Sequence, residues 1–144
     1  MLSPLIYYLL LMAVAAYAFV RGSPDARLAA AVCVIATVAT RIVLSPVAHR
    51  YSGVEYGVVT VDLLALFGFI FIALRTDRFW PLWVAGFQLT TIVAHALKAV
   101  DPHLLPHAYA AAGRFWVYPI FLIIVIGTWR SHQRALDGGI AKPA

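Results

Sequence analysis

Residues 55–78 read EYGVVTVDLLALFGFIFIALRTDR, and this stretch decides the class of fold. Between Glu55 and Arg75 the only charged residue is Asp62. About 20 helical residues cross the roughly 30 Å of bilayer hydrocarbon, so the stretch predicts a transmembrane helix. The residues that follow, around Asp77, form a short polar turn that can cap the next helix.

The rest of the chain has the same character. Of its 144 residues 63% are hydrophobic and 12% are charged, and the mean hydropathy is +0.88. So few charges cannot coat a soluble domain, and they cluster between apolar runs. The sequence therefore predicts an all-α, polytopic membrane helix bundle with about five transmembrane helices. The predicted domain covers residues 1–130, with spans near 4–20, 28–47, 55–74, 79–99 and 107–129, and a cytoplasmic tail follows at 131–144.

Basic residues predict the orientation of the bundle. With five spans, the first and third turns lie on the same side as the carboxyl terminus, and seven of the eleven Lys and Arg residues fall there. On the other side, Arg50 is the one basic residue that lies clearly in a loop. Because basic loops are retained in the cytoplasm, we expect the amino terminus outside and the carboxyl terminus inside a bacterial inner membrane. The seven residues are Arg21, Arg27, Arg75, Arg78, Arg130, Arg134 and Lys142.

Several classes of protein are not expected. The net charge of +5 comes without a Lys/Arg block or a basic stripe with interleaved aromatics, so nucleic acid is not a predicted partner. A single cysteine, Cys33, excludes an intrachain disulfide and a CxxC motif. The sequence has no GxSxG, HExxH or phosphate-binding loop, so no enzymatic activity is predicted.

Polar residues inside the predicted helices gather in the outer third of the bilayer. On the fourth helix they recur at intervals of three or four, which places them on one face. Isolated charges in hydrocarbon cost roughly 2.5–3.5 kcal/mol each, so these residues should pair. Depth permits Asp62 with Arg41 or His95, and Glu55 with Lys98. The predicted polar network or ligand site comprises Arg41, Glu55, Asp62, Gln88, Thr91, His95, Lys98, Arg114 and Tyr118, where the last two join if the final helix begins at His107 and not near Phe115.

This predicted cluster has two interpretations. It is either a network that orients the helices or an outward-facing pocket for an anionic ligand or a proton-linked step. A metal site from the outer-loop residues His49, Asp101, His103 and His107 lacks the spacing of a ligand motif, so no metal is predicted. Haem needs two facing histidines, and a quinone site at His95 and Tyr118 is chemically possible; neither cofactor is predicted.

Three short motifs carry a resemblance: LRTDRFWPLW at 74–83, HALKAVDP at 95–102 and FWVYP at 115–119. With Asp62 they resemble a group of short polytopic membrane proteins of bacteria that has no assigned activity. The resemblance implies a small all-helical membrane protein and transfers no functional residue.

Two functions are expected from these features. The first is an accessory or assembly subunit of a larger membrane complex, which needs an exposed face of small residues. The alternative is a ligand-binding protein or a small-molecule, ion or proton-linked transporter, which would have to oligomerise because five short helices enclose little volume. Apolar inner halves at 63–74 and 121–126 argue against an open pore in one chain. The predicted partners are the lipid bilayer and either other membrane subunits or further copies of the chain, and the candidate small-residue positions are Ala13, Ala16, Ala29 and Ala30.

Overall fold

A computed structural model describes residues 4–43, 56–100 and 115–140. In these residues the protein is all-helical, as predicted. Three of the helices, α1 to α3, are long and apolar enough to cross a membrane. The five helices are α1 (Pro4–Arg21), α2 (Pro24–Val43), α3 (Tyr56–Arg75), α4 (Trp80–Val100) and α5 (Val117–Ile140).

The last two helices are less apolar, for different reasons. Helix α4 buries Gln88, His95 and Lys98 within an otherwise hydrophobic sequence. The apolar part of α5 ends near Trp129, so it is shorter than the ~20 residues that a straight span needs. Helix α5 nevertheless continues to Ile140, beyond the predicted end of the span at residue 129 and into the predicted tail.

The helices form a closed ring in chain order. Each helix packs against the next one, and α5 packs against both α4 and α1. Tyr7 of α1 contacts Thr37 near the end of α2, so these neighbours are antiparallel. Tyr7 also contacts Phe121, and Arg21 contacts His132, so α1 and α5 run in the same direction.

A very short turn joins α1 to α2. Only Gly22 and Ser23 lie between the helices, because Pro24 already occupies the first turn of α2, where its missing N–H costs no hydrogen bond. A Cβ at Gly22 would lie 2.2 Å from the carbonyl oxygen of Ala18. The turn therefore needs glycine, and it brings α1 and α2 into close contact.

This close contact corrects one sequence expectation. Ala29 and Ala30 are each 1% exposed and belong to the core of the bundle, so they offer no surface to a partner. Small side chains at this position allow α2 to approach α1, which explains their use. Ala13 and Ala16 of α1 are exposed.

The middle of the ring is an apolar layer. Val84 of α4 and Ile124 of α5 are completely buried, and Phe69 and Phe121 pack beside them. At one edge of this layer Gly127 of α5 lies against the indole of Trp80, where a Cβ would come within 2.9 Å of a ring atom. The layer separates two groups of polar side chains, one towards each end of the bundle.

Candidate functional site

Helix α4 presents a buried polar stripe to the interior. Gln88, Thr91, His95 and Lys98 follow one another at intervals of three or four residues, and each is at most 9% exposed. The same face is apolar at the start of the helix, where it carries Val84 and other buried hydrophobic residues. The interior therefore changes from apolar to polar along α4.

Asp62 of α3 accepts hydrogen bonds from two residues of this stripe. Its Oδ2 lies 2.9 Å from Nε2 of His95, and its Oδ1 lies 3.2 Å from Nε2 of Gln88. Gln88 also donates to the main-chain oxygen of Asp62 at 3.3 Å. Gln88 and His95, two turns apart on α4, thus hold one carboxylate from both sides. We call Asp62, Gln88 and His95 the Asp62 cluster.

The direction of the Asp62–His95 hydrogen bond follows from the chemistry of an ionised Asp62. An ionised carboxylate can only accept hydrogen bonds, so His95 donates its Nε2–H to Asp62. The side chains are 11% and 19% exposed, which removes most of the water that would otherwise screen the interaction. The arrangement can hold or exchange one proton at a carboxylate–imidazole pair.

The other predicted site residues fall in different places. Arg41, the alternative partner of Asp62, is exposed, and its guanidinium carbon lies 6.0 Å from the ring centroid of Tyr8 on α1. Tyr118 is half-buried in the first turn of α5. Glu55 and Arg114 lie outside the described residues, so the pairing of Glu55 with Lys98 stays a prediction.

A hydrogen-bonded chain joins α1 to α2 near Arg41. The hydroxyl of Thr37 donates to the carbonyl oxygen of Cys33 at 2.8 Å. The Tyr7 hydroxyl lies 2.7 Å from the Thr37 oxygen, and it must donate because the Thr37 proton is already used. Neither Tyr7 nor Thr37 is among the predicted site residues, because spacing along one helix does not identify a partner on another helix.

A second polar group, which sequence analysis missed, lies at the end of the bundle formed by the α1–α2 and α3–α4 turns. We call this the turn end. The carboxylate of Asp25 accepts a hydrogen bond from Thr76 at 2.8 Å and lies 4.0 Å from the Arg78 guanidinium. Arg78 in turn donates to the buried Ser131 of α5. This Asp25 cluster connects α2, the α3–α4 turn and α5.

Within the described residues no group of three His, Cys, Asp or Glu side chains could hold a metal ion. The histidines at 49, 103 and 107 and Asp101 lie outside the described ranges. His95, the histidine considered for haem or quinone, is engaged by Asp62.

An apolar groove of about 350 Å³ lies on the outside of α4. Its aromatic walls include Trp83 and Phe87, and Gly86 lies between them. Phe87 stacks on Trp116, with ring centroids 5.6 Å apart. A Cβ added at Gly86 would meet no atom within 4 Å, so the groove has room for side chains from outside the chain.

Comparisons with protein-family models, curated proteins and solved structures find no match for this chain.

Proposed function

We propose that the chain is a multi-pass protein of the bacterial inner membrane, and that it acts without enzymatic chemistry as an accessory or assembly subunit of a larger membrane complex. Five spans with the amino terminus outside agree with the positive-inside rule, since the turn end carries six arginines in the described residues. Exposed leucine, isoleucine and phenylalanine side chains surround the ring, as lipid contact requires.

Reporter fusions test this orientation. Alkaline phosphatase fused after Ser52 should be active, because that site is proposed to lie outside. The same enzyme fused after Asp77 should be inactive, and an opposite pattern would overturn the orientation.

The observation that carries the subunit proposal is the groove at Gly86. Four other described glycines each lie against a neighbour within the chain, and their positions are Gly22, Gly57, Gly68 and Gly127. A Cβ at Gly86 or at Gly138 would meet no atom within 4 Å. Gly138 lies beyond the apolar part of α5, whereas Gly86 lies in an apolar groove between aromatic residues. Small residues allow helix backbones to approach closely in a membrane, so we assign this groove to a transmembrane helix of another subunit.

The Asp62 cluster fits a supporting role in this proposal. Both carboxylate oxygens are used within the chain, so the cluster fixes α3 against α4. A rigid pair of helices would keep the Gly86 face in one orientation for its partner.

Substitution at the groove provides the test. Gly86→Leu should fill the groove and release the partner, and native mass spectrometry of gently extracted protein would then show the bare chain. Ala13→Leu, at an exposed position on α1, should leave the complex intact. A wild-type chain that is already a bare monomer would overturn the subunit proposal, and so would loss of the complex in Ala13→Leu alone.

A stability control accompanies this test. Gly86→Leu should unfold at nearly the wild-type temperature, because a Cβ at this position meets no atom within 4 Å and the groove has room for the rest of the side chain. Gly127→Ala should unfold at a lower temperature, because its Cβ would crowd the Trp80 ring. This contrast separates loss of a partner from loss of the fold.

The Asp62–His95 pair favours one alternative function, proton-linked transport or ligand binding. The apolar layer around Val84 and Ile124 stands between the Asp62 cluster and the turn end. Transport would therefore require the helices to move or the chain to oligomerise. Proteoliposomes that dissipate a pH gradient with wild-type protein, and lose this activity in Asp62→Asn, would favour the alternative over the subunit proposal.

A further inference from the structure

The turn end carries an unusual set of basic side chains. In the described ranges it carries six arginines and no lysine, and five of the arginines are exposed. Three aspartates lie at the same end, of which Asp25 is already bound to Thr76 and close to Arg78. The exposed arginines are Arg21, Arg27, Arg75, Arg130 and Arg134.

Two of these arginines are held in place by neutral acceptors. Nη1 of Arg21 lies 2.7 Å from Nε2 of His132, and Nε of Arg27 donates to the Gly22 carbonyl oxygen at 3.2 Å. Neither contact neutralises the positive charge, in contrast to the contact of Arg78 with Asp25. Both guanidinium groups are therefore oriented and still carry a full charge beside the same short turn.

We infer that this arginine surface binds the phosphate groups of anionic phospholipids, with Arg21 and Arg27 at its centre. Arginine suits this ligand better than lysine, because its planar fork can donate two hydrogen bonds to one phosphate. The start of α2 at Pro24 adds the positive end of a helix dipole beside these residues. The inference rests on the proposed membrane location, because the turn end must lie at the level of the headgroups.

The Asp25 cluster contributes to the site by position. It ties the α3–α4 turn and α5 to the start of α2, which keeps Arg75 and Arg130 on the same surface as Arg21. An aspartate that neutralised Arg21 or Arg27 would weaken phosphate binding, but Asp25 is turned towards Thr76 and Arg78. The charge that faces the headgroups is thus positive.

The experiment compares lipid adducts on protein taken from bilayers with equal amounts of phosphatidylglycerol and phosphatidylcholine. Native mass spectrometry should show wild-type protein enriched in phosphatidylglycerol. The double variant Arg21→Gln/Arg27→Gln should lose roughly tenfold of this preference, since each basic residue near the surface contributes severalfold. Arg41→Gln removes an exposed arginine near the other end of α2 and should keep the wild-type preference.

A lysine variant and a competition with phosphate complete the experiment. Arg21→Lys/Arg27→Lys retains the charge without the fork, and it should show an intermediate preference even if the glutamine variant fails to fold. Equal adducts of both lipids on wild-type protein would overturn the inference, as would an equal loss in Arg41→Gln. Displacement of the lipid by millimolar inorganic phosphate would show a free-phosphate site and overturn the lipid assignment. Failure to incorporate into bilayers at all would overturn the membrane location itself, whereas the Gly86 test concerns only the partner helix.

Discussion

The Asp62 cluster and the Asp25 cluster use the same residue type in opposite ways. Asp62 receives both of its side-chain hydrogen bonds from one neighbouring helix, in the polar part of the interior. Asp25 contacts the α3–α4 turn, and through Arg78 it is connected to α5. One aspartate fixes a single pair of helices, whereas the other gathers three parts of the chain at the turn end.

The two clusters differ in exposure to water, and this should determine how much each contributes to the stability of the fold. The Asp62 and His95 side chains are 19% and 11% exposed, whereas those of Asp25 and Arg78 are 26% and 29% exposed. Water screens the second pair more than the first, and its ion-pair distance of 4.0 Å is longer than the 2.9 Å of the first. The Asp62 cluster should therefore contribute more to stability, and the Asp25 cluster more to the geometry of the turns.

Removal of the Asp62 carboxylate should have the largest effect. Asp62→Ala removes the largely buried carboxylate that accepts hydrogen bonds from Gln88 and His95, which should lower the free energy of unfolding by about 2–3 kcal/mol. Thermal unfolding in detergent would measure the change. Asp137→Ala, at an exposed position on α5, is the control and should stay close to wild type. Equal midpoints for the two variants would contradict the internal role of Asp62.

Sequence alone could predict the Asp62 pair because of the cost of burying charge. An aspartate within the apolar third stretch must find a partner, and depth left Arg41 and His95 as choices. Depth could not decide between them, because a long arginine side chain can extend towards the surface, and Arg41 lies at Tyr8. Gln88 as the second donor depended on the rotation of α4, which spacing alone does not fix.

The Asp25 cluster could not be predicted in the same way. Asp25, Thr76 and Arg78 lie between or at the ends of apolar stretches, where charged residues look like solvated loop markers. Their contacts depend on which turns meet at the end of the ring, and that follows from the closure of α5 onto α1. The helical continuation of α5 past Trp129 was missed for a related reason, since Ser131 is buried by these turns and not by an apolar pattern.

Loss of the Asp25 carboxylate should lower the free energy of unfolding less, and its effect should be confined to the turn end. Asp25→Ala removes a hydrogen bond from Thr76 and a partly screened ion pair, so we expect a loss of about 1 kcal/mol. Hydrogen exchange should rise mainly in the two turns and at Ser131, while amides around Asp62 keep their protection. The exposed Asp77 in the same region supplies the control, and Asp77→Ala should leave the exchange pattern unchanged. If Asp25→Ala instead loosened α3 and α4 along their whole length, the two clusters would not be independent.

Loss of the contact between Arg21 and His132, which also lies at the turn end, should have the smallest effect. Arginine can only donate, so the contact requires an unprotonated Nε2 on His132. His132→Ala should therefore cost at most about 0.5 kcal/mol near neutral pH, since the contact is exposed. His132→Phe keeps an aromatic ring at this position without a nitrogen acceptor, so it should lose as much stability as His132→Ala. A His132→Phe variant as stable as wild type would mean that His132 stabilises α5 by packing and not through Arg21.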